Sequence, residues 1–119
     1  MYFTFDELVR TNCGLPNLPK DLDHVRNLLC LSEFLNDIRI QFGEPIYVNS
    51  AYRTSDVNKR VGGVANSFHC IGRAADIRPS YMPSIEYKQN LQRLIDVLKT
   101  KEDQLVEFIP YPTYIHIAV

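Results

Sequence analysis

Two histidines and one aspartate stand in this sequence where polar side chains need a reason. His69 lies in the loop Asn66-Ser67-Phe68-His69-Cys70-Ile71-Gly72, and His116 in the otherwise apolar stretch Tyr114-Ile115-His116-Ile117-Ala118-Val119. Asp76 poses the same question within Ala74-Ala75-Asp76-Ile77. Burying a polar ring or a carboxylate costs free energy unless it is bonded to something. Two imidazoles and a carboxylate are also a ligand set used by catalytic zinc, which keeps its fourth position for water. A hydrogen-bonded core histidine and a capping aspartate would account for the same residues, so residue types alone leave both readings open. The third histidine, His24, falls in a helical stretch beside Asp23 and reads as a solvent-facing residue.

The elements that must position these side chains are legible from periodicity. Thr4 and Glu7 have capping-box spacing ahead of a short helix over 6–11. Leu22, Val25, Leu28, Leu31, Leu35, Ile38 and Phe42 recur every three or four residues, which predicts a long helix over 21–42 closed by Gly43 and Pro45. Ile46 to Ser50 reads as a strand. A polar stretch from Tyr52 to Arg73 follows, with a short helix at 56–60, and it leads into a strand at Ala74 to Arg78 closed by Pro79. Tyr87, Leu91, Leu94, Ile95 and Leu98 line one side of a second amphipathic helix over 84–99. Residues 104–119 read as two strands around Tyr111-Pro112. Helices first and strands later predict an α+β fold, with a small antiparallel sheet packed with amphipathic helices. A long polar segment inside a compact domain is usually functional or disordered, and this one carries His69.

Composition narrows the class. The 119 residues fit a single domain, and 45% of them are apolar, which supports a core without disulfides. Thirteen basic and 14 acidic residues give a net charge of −1, so nothing electrostatic points to nucleic acid or an anionic membrane. No apolar run is long enough for a membrane span. The first residues lack a basic segment followed by an apolar one, so synthesis in the cytoplasm without a secretory signal is expected. Three scattered cysteines, Cys13, Cys30 and Cys70, make no framework and no Cys-x-x-Cys pair, and read as small buried hydrophobes. The expected state is a monomer.

The spacing of the polar segment is more specific than its composition. Ser50-Ala51-Tyr52-Arg53-Thr54-Ser55, then Val61-Gly62-Gly63, then Ser67-Phe68-His69 with Gly72, Ala74 and Asp76 closely resemble the zinc D-Ala-D-Ala carboxypeptidase family. That family includes phage L-alanyl-D-glutamate endolysins and is related in fold to the hedgehog signalling domain. Its last ligand is a histidine in a C-terminal apolar strand, which Tyr114-Ile115-His116-Ile117 matches. The resemblance implies one zinc held by His69, Asp76 and His116, with peptidoglycan stem peptides as substrate. It implies a guanidinium at Arg53 for a substrate carboxylate, and Ser67 beside the metal, bonded to substrate or to a ligand. Gly72 would let the chain turn between two ligands. A short stand-alone enzyme of this kind also resembles a phage lysis or entry protein.

One position departs from the pattern. Many relatives carry an acid three residues before the last histidine, where this chain has Thr113. If Tyr111-Pro112 forms a two-residue turn, Pro110 faces Thr113 and Glu107 faces His116, placing both side chains on one face. Glu107 would then serve as general base. The missing acid keeps open an alternative, a non-catalytic, zinc-stabilised binding or virion-associated module of the same fold.

Overall fold

The long helix starts where Asp21 turns its carboxylate onto the Asp23 amide at 2.8 Å and ends where Gly43 adopts φ 77° and returns its N–H to Arg39. A computed structural model describes residues 2–119. It shows α1 at Phe5–Val9, α2 at Leu22–Phe42, β1 at Ile46–Ser50, α3 at Ser55–Arg60 and β2 at Ala74–Pro79. After these come α4 at Ser84–Lys99, β3 at Glu107–Pro110 and β4 at Ile115–Ala118. The predicted capping box is present at Thr4 and Glu7, but α1 ends two residues early, at Val9, because Arg10 is already extended. Leu22, counted in the apolar stripe of α2, overhangs the core and is largely exposed. A 3-10 turn at Phe68–Ile71, absent from the sequence reading, carries His69.

The four strands pair antiparallel in the order β1-β2-β4-β3. Their alternation separates two faces. Ala75, Ile77, Ile115 and Ile117 are fully buried in a core shared with Leu28, Leu31, Leu35 and Ile38 of α2 and Leu91, Leu94 and Leu98 of α4. Each of these leucines and isoleucines contributes about 1.5–3 kcal/mol on burial. The opposite face presents Asp76 and His116, and the register that packs the isoleucines inward therefore fixes both polar side chains outward.

The β3–β4 hairpin corrects the expected register. Glu107 pairs with Ala118, Ile109 with His116 and Pro110 with Ile115, so the connection is the four residues 111–114 rather than a two-residue turn. Pro112 has no amide proton for the ladder. The connection is held instead by the Tyr111 amide on the Tyr114 carbonyl at 2.8 Å, by stacked Tyr111 and Tyr114 rings, and by the Tyr87 hydroxyl, which donates to the Thr113 carbonyl. A shift of two residues conserves the face, so Glu107 stays on the side of His116 but sits diagonal to it.

Candidate metal centre

Asp76 and His116 are direct partners across the β2–β4 ladder, and the His116 Nδ1 lies 2.8 Å from Asp76 Oδ1. His69 comes from the other side. Its Nε2 lies 3.4 Å from the same Asp76 oxygen, and the two imidazole centroids are 5.3 Å apart. One donor atom from each of the three residues falls within a 4.8 Å group. Donors at about 2.0–2.1 Å around a tetrahedral ion sit roughly 3.3 Å from one another, a spacing close to those seen here. Two nitrogens and one oxygen converging on one point fit a metal ion.

The loop end of the site is built by caps. Ser67 accepts the His69 amide at 3.1 Å and starts the 3-10 turn. Gly72 closes it at φ 80°, where an added Cβ would come within 2.7 Å of the His24 carbonyl oxygen. The His69 ring is buried, and its Nδ1 donates to the Ala51 carbonyl at 2.6 Å, which leaves Nε2 to face Asp76. The Ser67 hydroxyl oxygen thus supports the turn that carries His69.

Arg53 reaches the cluster through Asp76. Its Nη2 is 3.5 Å from Asp76 Oδ2, its Nε donates to Ser50 at 3.1 Å and its Nη1 to Asn58 at 3.3 Å. The bond to Ser50 depends on a β-bulge. Val48 pairs with Ile77 but Ser50 pairs with Asp76, so one extra residue re-aims Ser50 toward the site. Two of the five guanidinium protons are hydrogen-bonded, and Nη2 is in ion-pair range of Asp76. Arg53 also lines a cleft of about 420 Å³ with Arg10, Asn12, Cys13 and Ser50.

The electrostatics follow from these contacts. Burial pushes the Asp76 carboxyl up, but hydrogen bonds from His116 and His69 outweigh it and hold the group at about 2. His116 is raised by its bond to Asp76 against burial, with a further contribution from Glu107. Asp76 is therefore ionised across the physiological range, the form a metal ligand needs.

Glu107 Oε1 lies 2.8 Å from His116 Nε2, on the ring edge opposite Nδ1. The residues that sequence reasoning missed are mostly buried asparagines. Asn58 holds Arg53 and donates to the Val64 carbonyl at 2.7 Å, and Gly63 must lack a Cβ to leave room for it. Asn17 donates to the Val9 and Tyr52 carbonyls and accepts the Thr54 amide, each at 2.8 Å. Asn17 lies in a loop and Asn58 in the short helix α3, and neither position by itself pointed to this role. His24 is not solvent-facing as expected: it is partly buried, with Nδ1 3.3 Å from the Tyr52 hydroxyl, because α2 packs on the 3-10 turn. The cysteines also depart from expectation, since Cys30 is exposed and Cys13 and Cys70 are only partly covered.

A small antiparallel sheet with a two-histidine, one-aspartate cluster on its open face defines the class of site found in metal-dependent hydrolases. The sequence model of the peptidase M15 family matches residues 1–118, and the chain belongs to that family, the zinc D-Ala-D-Ala carboxypeptidases. Membership makes it a hydrolase of the peptidase class. No curated protein matches the chain in sequence. No described helix is long and apolar enough to cross a membrane.

Proposed function

We propose that this chain is a zinc peptidase that hydrolyses peptide bonds in the stem peptides of peptidoglycan. The observation that carries the reading is the convergence of His69 Nε2, Asp76 Oδ1 and His116 Nδ1, with Arg53 3.5 Å from the other Asp76 oxygen. Zinc, when bound, would lower the pKa of a coordinated water toward about 7 and polarise the scissile carbonyl.

The chain's own residues supply the rest. Asp76 brings a carboxylate that stays ionised and keeps Oδ1 between the two histidines, while Arg53 steadies its other oxygen. The Ala51 carbonyl fixes the His69 ring so that Nε2 alone is presented. Arg53, with donors not used in hydrogen bonds, would take a substrate carboxylate from the cleft side. That group is either the terminal carboxylate of a D-Ala-D-Ala peptide or the free carboxylate of D-glutamate. Ser67 supports the site through the His69 turn.

Incubation of the zinc-loaded protein with purified peptidoglycan, followed by mass spectrometry of the products, tests the proposal. New termini at one stem-peptide bond, abolished by chelator and restored by zinc, are the expected result. Undigested peptidoglycan with a stoichiometric zinc in place would overturn the substrate.

A further inference from the structure

We propose that Glu107 is the positioning carboxylate of this metal centre. It accepts the Nε2 proton of His116, so that with a metal bound the ring is held in the tautomer that presents Nδ1 toward Asp76 and His69. The inference rests on the metal-site reading above and gives Glu107 a different task from the proton acceptor expected of it.

A neutral imidazole carries one N–H, so fixing the proton on one nitrogen frees the other for a metal. Both nitrogens of His116 have a carboxylate oxygen at 2.8 Å, Asp76 at Nδ1 and Glu107 at Nε2. The two edges are not equivalent. The Nδ1 edge faces the Asp76 oxygen that also meets His69 Nε2, whereas the Nε2 edge faces Glu107. The metal point is therefore at Nδ1 and Glu107 lies across the ring from it. A carboxylate there is badly placed to take a proton from water on the metal side but well placed to grip Nε2–H.

His69 is held by the same logic with the nitrogens exchanged: its Nδ1 is tied to the Ala51 carbonyl and its Nε2 is presented. The two acceptors differ in strength. A carboxylate makes a stronger, charge-assisted bond than a carbonyl and raises the basicity of the imidazole as a ligand. The hairpin register puts Glu107 in this place. Paired with Ala118, two residues beyond His116, it stands diagonal on the same face and reaches the outer ring edge.

The test compares the whole chain with Glu107→Ala and Glu107→Gln by zinc competition against a chromophoric chelator. Glu107→Ala should weaken zinc binding about 10–100-fold, whereas Glu107→Gln, whose amide oxygen still accepts a proton, should lose less than about tenfold. Nitrogen NMR of the zinc-loaded parent should show His116 with metal on Nδ1 and a proton on Nε2. With zinc saturating, Glu107→Gln should lose less turnover than the roughly 10²–10⁴-fold that loss of a general base costs. Parent-like zinc affinity in Glu107→Ala, metal on Nε2, or a hundredfold loss of turnover in fully loaded Glu107→Gln would each overturn the assignment. A parent that binds no zinc would overturn the metal-site reading beneath it, a result distinct from the other three.

Discussion

Two halves of the site are built by different means. Asp76 and His116 are set by strand register, as direct partners in the middle of a four-stranded sheet whose other face is buried isoleucine and alanine. His69 and Arg53 are set by a loop that has almost no ladder of its own. Ser67, Gly72, Asn17, Asn58 and the Ala51 carbonyl hold it, each through one or two bonds. The sheet half is over-determined, because turning Asp76 inward would require turning Ala75 and Ile77 outward. The loop half is a sum of separable contacts. Substitutions in the first should act all at once and those in the second in small, additive steps.

The largest effect is expected at the sheet. Asp76→Ala removes the one carboxylate that both histidines face, so metal affinity should fall more than about hundredfold, beyond the loss typical of supporting residues. Hydrolysis should fall with it, and elemental analysis of the purified variant should find little zinc. Full zinc occupancy in Asp76→Ala would show that the two histidines alone define the site.

The loop should break at Gly72 next. With φ at 80° and the His24 carbonyl 2.7 Å from any added Cβ, Gly72→Ala strains the turn by about 1–3 kcal/mol. That corresponds to several degrees in melting temperature for a chain of this size. Asn58→Ala should cost about 1–3 kcal/mol by leaving the Val64 carbonyl and Arg53 Nη1 without their partner. In both variants amide exchange should quicken in residues 53–73 and stay slow in β2 and β4. Faster exchange in the strands as well would erase the distinction between the halves.

The sequence showed the two halves unequally, for the same reason. Periods of two and 3.6 are properties of local chain geometry, so α2, β1 and α4 could be read to within a residue. The hairpin register could not, because it was set by Pro112, by aromatic stacking of Tyr111 on Tyr114 and by a bond from Tyr87 on a distant helix. The candidate ligand positions were legible through spaced motif elements, but the contacts that support them were not. Asn17 looks like an ordinary loop residue and Asn58 like a short-helix residue until the fold buries them, and the 3-10 turn of His69 has no periodic signature at four residues. The bulge that turns Ser50 toward Arg53 was equally invisible.

Acid and base should separate the metal-free from the loaded sheet. In metal-free protein the raised His116 contributes stability that is full below about pH 6.5 and lost as pH rises through its raised value. Asp76, held at about 2, contributes above its unfolded value of about 3.9 and loses this as pH falls through about 2. Zinc held by His116 would act in the opposite direction, because it would displace the proton on Nδ1, and its apparent affinity should rise with pH. The gap between melting temperatures with and without zinc should therefore widen from about pH 5 to pH 8. A constant gap would detach His116 from the metal.

The smallest effect expected, and the sharpest for the loop half, is at Ser67. Its hydroxyl accepts the His69 amide, so Ser67→Ala should cost about 0.5–2 kcal/mol, as loss of a helix cap does. Ser67→Asp, which keeps a short side-chain acceptor, should recover most of it. Capping and substrate binding then part in the kinetics. A cap acts on the turn, so stability and zinc affinity should move together and KM should hold. A substrate contact would leave the melting temperature in place and raise KM. Because the turn aims His69 while the sheet still holds Asp76 and His116, zinc affinity in Ser67→Ala should fall only a few fold. A loss as large as that in Asp76→Ala would mean that the loop is no less rigid than the sheet.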